Sequence, residues 1–457
     1  MNRVWAVAKN SFVSAMRMKT AIVFMLLLIV LLPVMSLTAT GDGTVKGRIQ
    51  SFLSYGLGLT ALLLSILTIV VSCHTLSADI KNKRIYSVVT KPIRRFEIVL
   101  GKVLGVVLLD VLLLLVFSSV IYVLALQMPR FVKTTDEELA LLDNEFFTAR
   151  TALKGKYDYE MITARAQQAF KNLQDTGQLD ENKNKQAVLK ELTEAARYSM
   201  FSAEPGGTVI WEFENVKPLD PNDSLYVRFK FNASQVPPDE LFYGVWYVGD
   251  YRQMKNGQET MKTPIYAVPR KDVSKTIREF QVPAQAVAED GYLAVLFFNE
   301  PENNSTIIFS EEDGLEVLYK AGNFSENYVR AVLVIFSRLI FFAVLGVSLT
   351  TWLGFPVAIL FCFVVFFTGV INGFITTSFD FIGANLALFY SFTIKPIIWL
   401  LPKFDENYNI NKYIVDARLI NTGFLAMALI SLAVKSLILL FAGFIIFAKR
   451  ELAKVIV

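Results

Sequence analysis

The sequence predicts an α-helical membrane protein of six transmembrane helices, with a large α+β domain inserted after the third helix. Hydrophobic residues make up 54% of the 457 residues, and the mean hydropathy is +0.44. Apolar runs of about 20 residues, the length that a helix needs to cross the hydrocarbon core, recur along the chain. Residues 128–326 interrupt this pattern with charged and alternating segments, which predicts a folded domain outside the bilayer.

An amphipathic elbow helix is predicted for residues 1–20, where Trp5, Ala8, Phe12 and Ala15 recur at helical spacing. The same segment has four lysines and arginines and no acidic residue, so we expect the helix to lie along the bilayer surface. The alternative is a signal peptide, with the apolar run that follows as its hydrophobic core.

Six apolar runs are predicted to span the membrane, three within residues 21–127 and three within residues 327–457. The runs are 21–38, 52–76, 98–127, 328–350, 354–376 and 423–447. Residues 377–421 are also partly apolar, but Lys395 and Pro396 interrupt them, which favours a re-entrant segment over a full crossing. A full crossing there would make seven spans and would move the basic C-terminal tail to the outside.

The inserted domain is predicted to have a helical part followed by a β-sandwich. Residues 134–200 are charged and rich in Ala, Leu, Glu, Gln and Lys, which predicts two or three helices. Residues 206–320 contain short alternating segments, such as 225–231, which are separated by Pro, Gly, Asn and Asp and are therefore typical of strands. The helical part is a candidate contact for a periplasmic partner or for a second copy of the chain.

Aromatic residues of the predicted sandwich allow two interpretations. They either form a platform that stacks on a sugar ring, or they alternate along strands and fill the core of the sandwich. The residues concerned are Trp211, Phe213, Tyr243, Trp246 and Tyr247.

The distribution of basic residues predicts the orientation of the chain. Lysine and arginine are concentrated in 1–20, 77–97 and 448–457, and all three segments lie on one side if there are six spans. Short loops rich in lysine and arginine stay in the cytoplasm. Both termini are therefore expected to be cytoplasmic, and residues 128–326 are expected to be extracytoplasmic.

Known catalytic motifs are absent from the sequence, so the chain is not expected to be an enzyme or to hold a cofactor or a metal. There is no phosphate-binding loop of the form GxxxxGK[ST], no HExxH and no pair of cysteines at metal-ligand spacing. The net charge of +4 does not indicate nucleic-acid binding. Any work that the protein performs would draw its energy from a partner or from a gradient.

Three ionisable residues lie deep in the predicted spans, near mid-depth, namely Asp110, Arg338 and Lys435. A charge at mid-depth costs at least about 2.5–3.5 kcal/mol on insertion scales, so unpaired contact with lipid is not expected. One carboxylate between two cations predicts a buried ionic network. Its role is open between a structural ion pair, a translocation path or moving hinge, and a side chain that snorkels to the interface.

The basic loop at 77–97 carries the most specific pattern. Within 79–102 an acidic residue, a basic run, an apolar pair, Lys-Pro, two arginines and Gly-Lys follow one another. This stretch resembles the loop between the second and third helices of exporter-type ABC transporter permeases. Weaker similarities to the elbow helix, the turn before the fifth helix, a Pro-containing element and the cytoplasmic tail of that family lie at 1–20, 354–358, 400–404 and 447–452.

The resemblance implies a permease subunit in a bacterial inner membrane. It would pair with a second permease copy, identical or not, and bind a separate ATPase subunit that holds ATP and magnesium. Contact with the ATPase is implied for nine loop residues: Asp79, Lys83, Arg84, Ile85, Val88, Val89, Pro92, Arg94 and Arg95. The inserted domain is larger than in the simplest members, so no substrate is indicated. The alternatives are a membrane-anchored scaffold or receptor and a gradient-driven transporter or channel.

Overall fold

A computed structural model describes most of the chain. The described residues are 2–82, 93–131, 135–155, 159–176, 185–218, 220, 223–238, 240–255, 262–311, 314–375, 392–393, 395–396, 398, 401–404 and 409–449. In chain order, the helices and strands are α1 (Asn2–Met16), α2 (Lys19–Thr38), α3 (Val45–Lys81), α4 (Arg95–Phe131), α5 (Asp136–Glu145), β1 (Thr148–Lys154), α6 (Tyr159–Asp175), α7 (Lys185–Met200), β2 (Ser202–Ala203), β3 (Thr208–Phe213), β4 (Ser224–Phe229), β5 (Phe231–Ala233), β6 (Leu241–Gly249), α8 (Arg252–Lys255), β7 (Tyr266–Val273), β8 (Arg278–Pro283), β9 (Leu293–Asn299), β10 (Ile307–Phe309), β11 (Leu315–Asn323), α9 (Phe324–Thr350), α10 (Phe355–Val370), α11 (Ile410–Val415) and α12 (Thr422–Lys449).

Five helices in the described part of the chain are long and apolar enough to cross a membrane, namely α2, α3, α4, α9 and α12. The prediction of a membrane-embedded protein with an inserted β domain is therefore confirmed. Helices α3 and α4 have 37 residues each, and at 1.5 Å per residue each is about 55 Å long. Because the hydrocarbon core is about 30 Å thick, both helices extend beyond it.

The apolar run at 354–376, predicted to be the fifth of six spans, contains a shorter helix. Helix α10 has 16 residues and leaves helical geometry at Ile371, where ψ is 11°. Its length of about 24 Å is less than the thickness of the hydrocarbon core. The five longer helices thus qualify by length and composition, whereas α10 does not.

Helix α1 packs against α4 through two glycines. A Cβ atom on Gly101 would lie 2.6 Å from the Cβ of Val7, and one on Gly105 would lie 2.5 Å from the Cβ of Ser11. Spaced four residues apart, the two glycines lie on one face of α4 and let the helices approach closely, as small residues do between membrane helices. Ala8, which belongs to the predicted apolar face of α1, is fully buried.

The core of the helical bundle is formed mainly by α3, α4 and α9. Its buried side chains are aliphatic and aromatic and come from all three helices, including Phe52, Leu57, Leu109, Phe117, Ile335 and Leu339. Helix α3 also contacts α2, α10 and α11. A displacement of α3 would therefore act on most of the bundle.

Residues Ala149–Gly322 form a compact unit of their own. Its described strands make two four-stranded sheets, in the orders β1-β11-β4-β8 and β3-β9-β6-β7, and a three-stranded sheet in the order β2-β10-β5. The ladders of β4 with β8 and of β6 with β9 are antiparallel. Side chains from both larger sheets, such as Phe229 and Trp246, share one core, with ring centroids 4.5 Å apart.

Three helices, α5, α6 and α7, lie in the range 134–200, where two or three were predicted, but strand β1 in the same range was not predicted. Strand β1 forms the edge of a sheet beside β11 and buries Thr148 and Arg150. Arg150 donates to the Oε1 atom of Glu279 at 2.7 Å. This partner is distant in sequence, so tertiary pairing determines the conformation of β1 more than local propensity does.

The aromatic residues of the sandwich divide between its two faces. Trp211, Phe213 and Trp246 are almost fully buried, so these three fill the core. Tyr243 and Tyr247 point to the opposite face of β6 and are half-buried. A sugar platform made of all five residues is therefore wrong.

Candidate functional site

The predicted coupling residues fall partly outside the described chain. Lys83, Arg84, Ile85, Val88, Val89 and Pro92 lie outside the described residues. Asp79, Arg94 and Arg95 are described, and they belong to the two ends of the loop, at the last turn of α3 and the start of α4. The contacts of these ends define how the loop is attached to the bundle.

An ion pair joins the two ends of the loop. The Nζ atom of Lys102, on α4, pairs with Oδ2 of Asp79, on α3, and also donates to the carbonyl oxygen of Thr75 at 3.3 Å. The Lys102 side chain is 7% exposed and that of Asp79 is 25% exposed. Because partial burial weakens the screening by water, this pair holds the end of α3 against the start of α4.

A second contact joins the start of α4 to the end of α12. The Nη1 atom of Arg95 donates to the carbonyl oxygens of Phe447 and Ala448, at 3.1 and 2.8 Å. These carbonyls belong to the last turn of a helix, where they have no partner within the helix and where a cation is favourable. The guanidinium therefore caps α12 and holds its end against the start of α4.

A cavity of about 540 Å³ opens beside the end of α3. It is lined by the last turns of α3 and by the turn between α9 and α10; its lining includes His74, Ser77, Lys81, Thr350, Gly354, Phe355 and Pro356. The rings of His74 and Phe355 meet edge to face, with centroids 6.1 Å apart. The turn at 354–356 thus lies at the same end of the bundle as the last turn of α3.

Asp110 is buried between helices α4 and α3. Its Oδ1 atom lies 2.7 Å from the hydroxyl of Thr68, which lies 2.7 Å from the carbonyl oxygen of Leu64 as well. One hydroxyl proton can be donated to only one of these oxygens. The Oδ2 atom of Asp110 is buried and has no hydrogen-bond partner among the described residues.

Arg338 and Lys435 converge on one short segment, residues 401–404. The Cζ atom of Arg338 lies 4.2 Å from the centroid of the Phe404 ring. The Nζ atom of Lys435 donates to the carbonyl oxygen of Leu401 at 2.8 Å. Neither cation forms an ion pair with Asp110 in the described part of the chain, so the predicted network of all three residues is not seen there.

Residues 401–404 have irregular backbone and contact the middle of the bundle. The backbone N–H of Phe404 donates to the carbonyl oxygen of Gly369 at 3.0 Å, and its ring packs on Phe342, with centroids 5.6 Å apart. These residues belong to the predicted re-entrant region 377–421, most of which lies outside the described residues. Irregular backbone at membrane depth is tolerated where protein buries it, as it does here.

Two residues of these sites were missed by sequence reasoning. Lys102 is not among the nine predicted coupling residues, although a lysine at the start of an apolar run is a visible signal. Phe404 lies in the Pro-containing segment 400–404, but its contact with Arg338 could not be predicted, because that contact depends on the fold of a segment distant from α9. Among the described residues, no group of three or more His, Cys, Asp or Glu side chains is arranged to hold a metal.

In comparisons with known proteins, no family model, no curated protein and no solved structure matches this chain.

Proposed function

We propose that the chain is the permease subunit of an ABC exporter in a bacterial inner membrane, coupled to a separate ATPase subunit. The Asp79–Lys102 ion pair carries this proposal, because it ties together both ends of the loop that resembles the coupling element of such permeases. A force applied to residues 83–92 would reach α3 and α4 at once. Arg95 would pass it to α12.

In this proposal the ATPase acts on α3 and α4 through the loop that connects them. The apolar side chains of Ile85, Val88 and Val89 would enter a cleft of the ATPase, and Lys83 and Arg84 would pair with acids at its rim. ATP, held with magnesium in the partner, would close the ATPase pair and tilt the helices so that access switches between the two sides of the membrane. Since α3 contacts most of the bundle, its tilt would be shared by α9 and α10.

The proposed assembly has six spans per chain, with α10 and the segment after it making the fifth crossing. Both termini lie in the cytoplasm, and the unit Ala149–Gly322 lies outside. Two chains pair around the path. Helices α2 and α12 have apolar surface available for this pairing, since only 22% and 17% of their apolar windows are buried within one chain. The remaining apolar surface would face lipid or the second copy.

The decisive experiment is a pull-down of the tagged chain from mild detergent, assayed for ATPase activity. Wild type is compared with the double variant Ile85→Asp plus Val88→Asp. The matched control places the same charges on exposed apolar residues of the outer unit, Val236→Asp plus Ile277→Asp. We expect wild type and control to retain an ATPase subunit and the loop variant to lose it. A folded wild type that retains no ATPase would contradict the proposal.

A membrane-anchored receptor is the second candidate, favoured by the separate core of the outer unit. It predicts that the loop variant keeps the cellular function of the protein. It also predicts that deleting residues 149–322 abolishes that function while the helical part still inserts. Complementation with both variants distinguishes the two functions.

A further inference from the structure

A carboxyl group lies near the middle of the membrane-spanning helix α4 and contacts a hydroxyl group of α3. Asp110 is fully buried, and its neighbours on the same face of α4, Val106, Leu113 and Leu114, are apolar and buried as well. Helices α3 and α4 are both described along their full length. An ionised carboxylate at this place would have little to replace the water that it gives up.

Three oxygen atoms form a chain that leads from α4 to α3. Oδ1 of Asp110 lies 2.7 Å from Oγ1 of Thr68, which in turn lies 2.7 Å from the carbonyl oxygen of Leu64. A hydroxyl group within a helix commonly donates to the carbonyl oxygen four residues earlier, as Ser65 and Ser436 do in this chain. Thr68 has one proton to donate, so its oxygen can then only accept from the carboxyl group. Both contacts are hydrogen bonds only if the carboxyl group is protonated.

The second carboxyl oxygen supports the same assignment. Oδ2 of Asp110 is buried and has no hydrogen-bond partner among the described residues. A carboxylate carries its charge on both oxygens, so burying one of them without a donor costs more than burying the carbonyl oxygen of a neutral acid. With the proton on Oδ1, in the bond to Thr68, Oδ2 is an uncharged carbonyl oxygen.

Two cations lie near the middle of helices that pack against α4, and both contact another segment. Arg338 of α9 and Lys435 of α12 contact residues 401–404. Neither forms an ion pair with Asp110 in the described part of the chain. The contact between Asp110 and Thr68 is therefore a bond of a proton and not of a charge pair.

Other titratable groups around α4 have contacts of their own or lie far from Asp110. Lys102, eight residues away on α4 and thus at about 12 Å, pairs with Asp79. On α3, Cys73 and His74 contact residues of α10. The remaining groups on the helices that pack against α4 are exposed or lie in the first or last two turns of a helix: Arg3, Lys9, Lys19, Lys46, Arg48, Tyr55, Lys81, Glu326, Tyr328, Arg330 and Lys449.

We propose that Asp110 is a proton-binding site, which is occupied at neutral pH while α3 and α4 are packed together. The bound proton forms the hydrogen bond from Oδ1 of Asp110 to Oγ1 of Thr68 and thereby joins the two helices at mid-depth. Release of the proton requires water at the carboxyl group, and therefore requires α3 and α4 to separate at Thr68. A proton that binds only the packed arrangement shifts the bundle toward it. Binding at this site does not depend on the proposed coupling to an ATPase.

The test is infrared spectroscopy of the purified full-length chain, which detects the C=O stretching band of a protonated carboxyl group. The band of Asp110 is obtained as the difference between wild type and Asp110→Asn at pH 7. Thr68→Val removes the hydroxyl group and keeps the shape of the side chain. Thr60→Val is the matched control, because Thr60 is a buried threonine of the same helix whose hydroxyl has no hydrogen-bond partner among the described residues.

We expect a protonated carboxyl band in wild type that is absent from Asp110→Asn. The band should move to higher wavenumber in Thr68→Val, because the carboxyl O–H loses its acceptor, and should stay in place in Thr60→Val. Thr68→Ser restores the acceptor and should restore the position of the band. After transfer to D2O, the isotope shift of the band should appear more slowly than the exchange of exposed backbone amides. If Asp110→Asn fails to fold, carbon-13 labelling of the aspartate carboxyl groups should shift the same band in wild type.

Four outcomes would overturn the proposal. A folded wild type without a protonated carboxyl band at pH 7 would show that Asp110 is ionised. A band that is the same in Thr68→Val as in wild type would show that the proton does not join α4 to α3. Isotope exchange as fast as that of exposed amides would show that water reaches the carboxyl group in the packed bundle. Loss of the band on addition of sodium chloride at constant pH would show that the site binds a metal cation instead of a proton.

Discussion

The Sγ atoms of Cys73 and Cys362 lie 3.8 Å apart inside the helical bundle. Both residues are free cysteines and both are buried, Cys73 on α3 and Cys362 on α10. Around them Phe342 and Phe366 complete a small apolar cluster. The contact marks where the short helix α10 is held against the central helix α3.

This contact predicts a crosslink under oxidation. Copper phenanthroline should remove two electrons and two protons from the thiols and join them as a disulfide, because the sulfur atoms need to move by less than about 2 Å. Mass spectrometry of the digested, non-reduced chain should find one peptide pair that links Cys73 to Cys362. The pair should be absent from Cys362→Ser. Two thiols that stay fully alkylatable in wild type after oxidation would show that α10 does not lie against α3.

Replacing Lys102 by methionine should loosen the attachment of the loop. Asp79 would then lose its cation while remaining three-quarters buried, and we expect a loss of about 1–3 kcal/mol in unfolding free energy. The double variant Asp79→Asn plus Lys102→Met should recover part of the loss. Thermal unfolding in detergent measures the stability. Equal stability of wild type and Lys102→Met would contradict the structural role.

A methyl group at Gly101 should separate α1 from α4. In Gly101→Ala the new Cβ would lie 2.6 Å from the Cβ of Val7, so one helix has to move, at a cost of about 1–3 kcal/mol. Gly423→Ala is the matched control, because its new Cβ would meet only the Asn421 side chain, at 3.8 Å. Limited proteolysis near the N-terminus should be faster in the first variant and unchanged in the second. Equal rates would show that the glycine contact is not needed.

The unit Ala149–Gly322 should lose stability in acid through Glu279. Burial raises the pKa of this carboxyl, but the guanidiniums of Arg150 and Arg228 outweigh burial and hold the pKa below its usual value of 4.5. A lowered pKa in the folded state gives stability that is present above pH 4.5 and is lost as the pH falls through the folded-state pKa. Replacing Glu279 by Gln should therefore cost about 1–3 kcal/mol at pH 7 and progressively less below pH 4.5.

Hydrogen exchange of β4 and β8 in the full-length chain measures this effect locally. The difference in protection between wild type and Glu279→Gln should shrink between pH 5 and pH 3, after correction for the intrinsic exchange rate. Glu302→Gln is the control, since Glu302 is exposed and lies outside both strands. A difference in protection that stays constant between pH 5 and pH 3 would show that the Glu279 ion pairs do not stabilise the unit Ala149–Gly322.

The large features of the fold are visible in the sequence because they depend on local patterns. A run such as 98–127 is apolar for so long that only a membrane helix accommodates it. The alternation of Val227 and Phe229 with Arg228 likewise predicts β4 directly. Strand β1 was not predicted, because Arg150 is buried only through its pairing with the distant Glu279.

The candidate sites were harder to predict for the same reason. The loop pattern indicated Asp79 and Arg95. Their partners, Lys102 and the Phe447 carbonyl, could not be predicted, because these contacts depend on how α3, α4 and α12 pack beside one another. Mid-helix charges identified Arg338 and Lys435 as unusual. Both cations contact residues 401–404, and neither pairs with Asp110 in the described part of the chain. These contacts could not be predicted, because the sequence of 401–404 has no helical or strand periodicity.

The first and last residues of the unit Ala149–Gly322 lie close together. The rings of Phe147, just before the unit, and Phe324, just after it, have centroids 5.4 Å apart, and β1 and β11 run side by side. A domain whose first and last residues lie close together can be inserted into a loop of another protein. It can be cut out and replaced by a few glycines, or exchanged for another domain, without stretching the helices that carry it. Such a junction would let one helical bundle acquire or lose an inserted unit by a single genetic event.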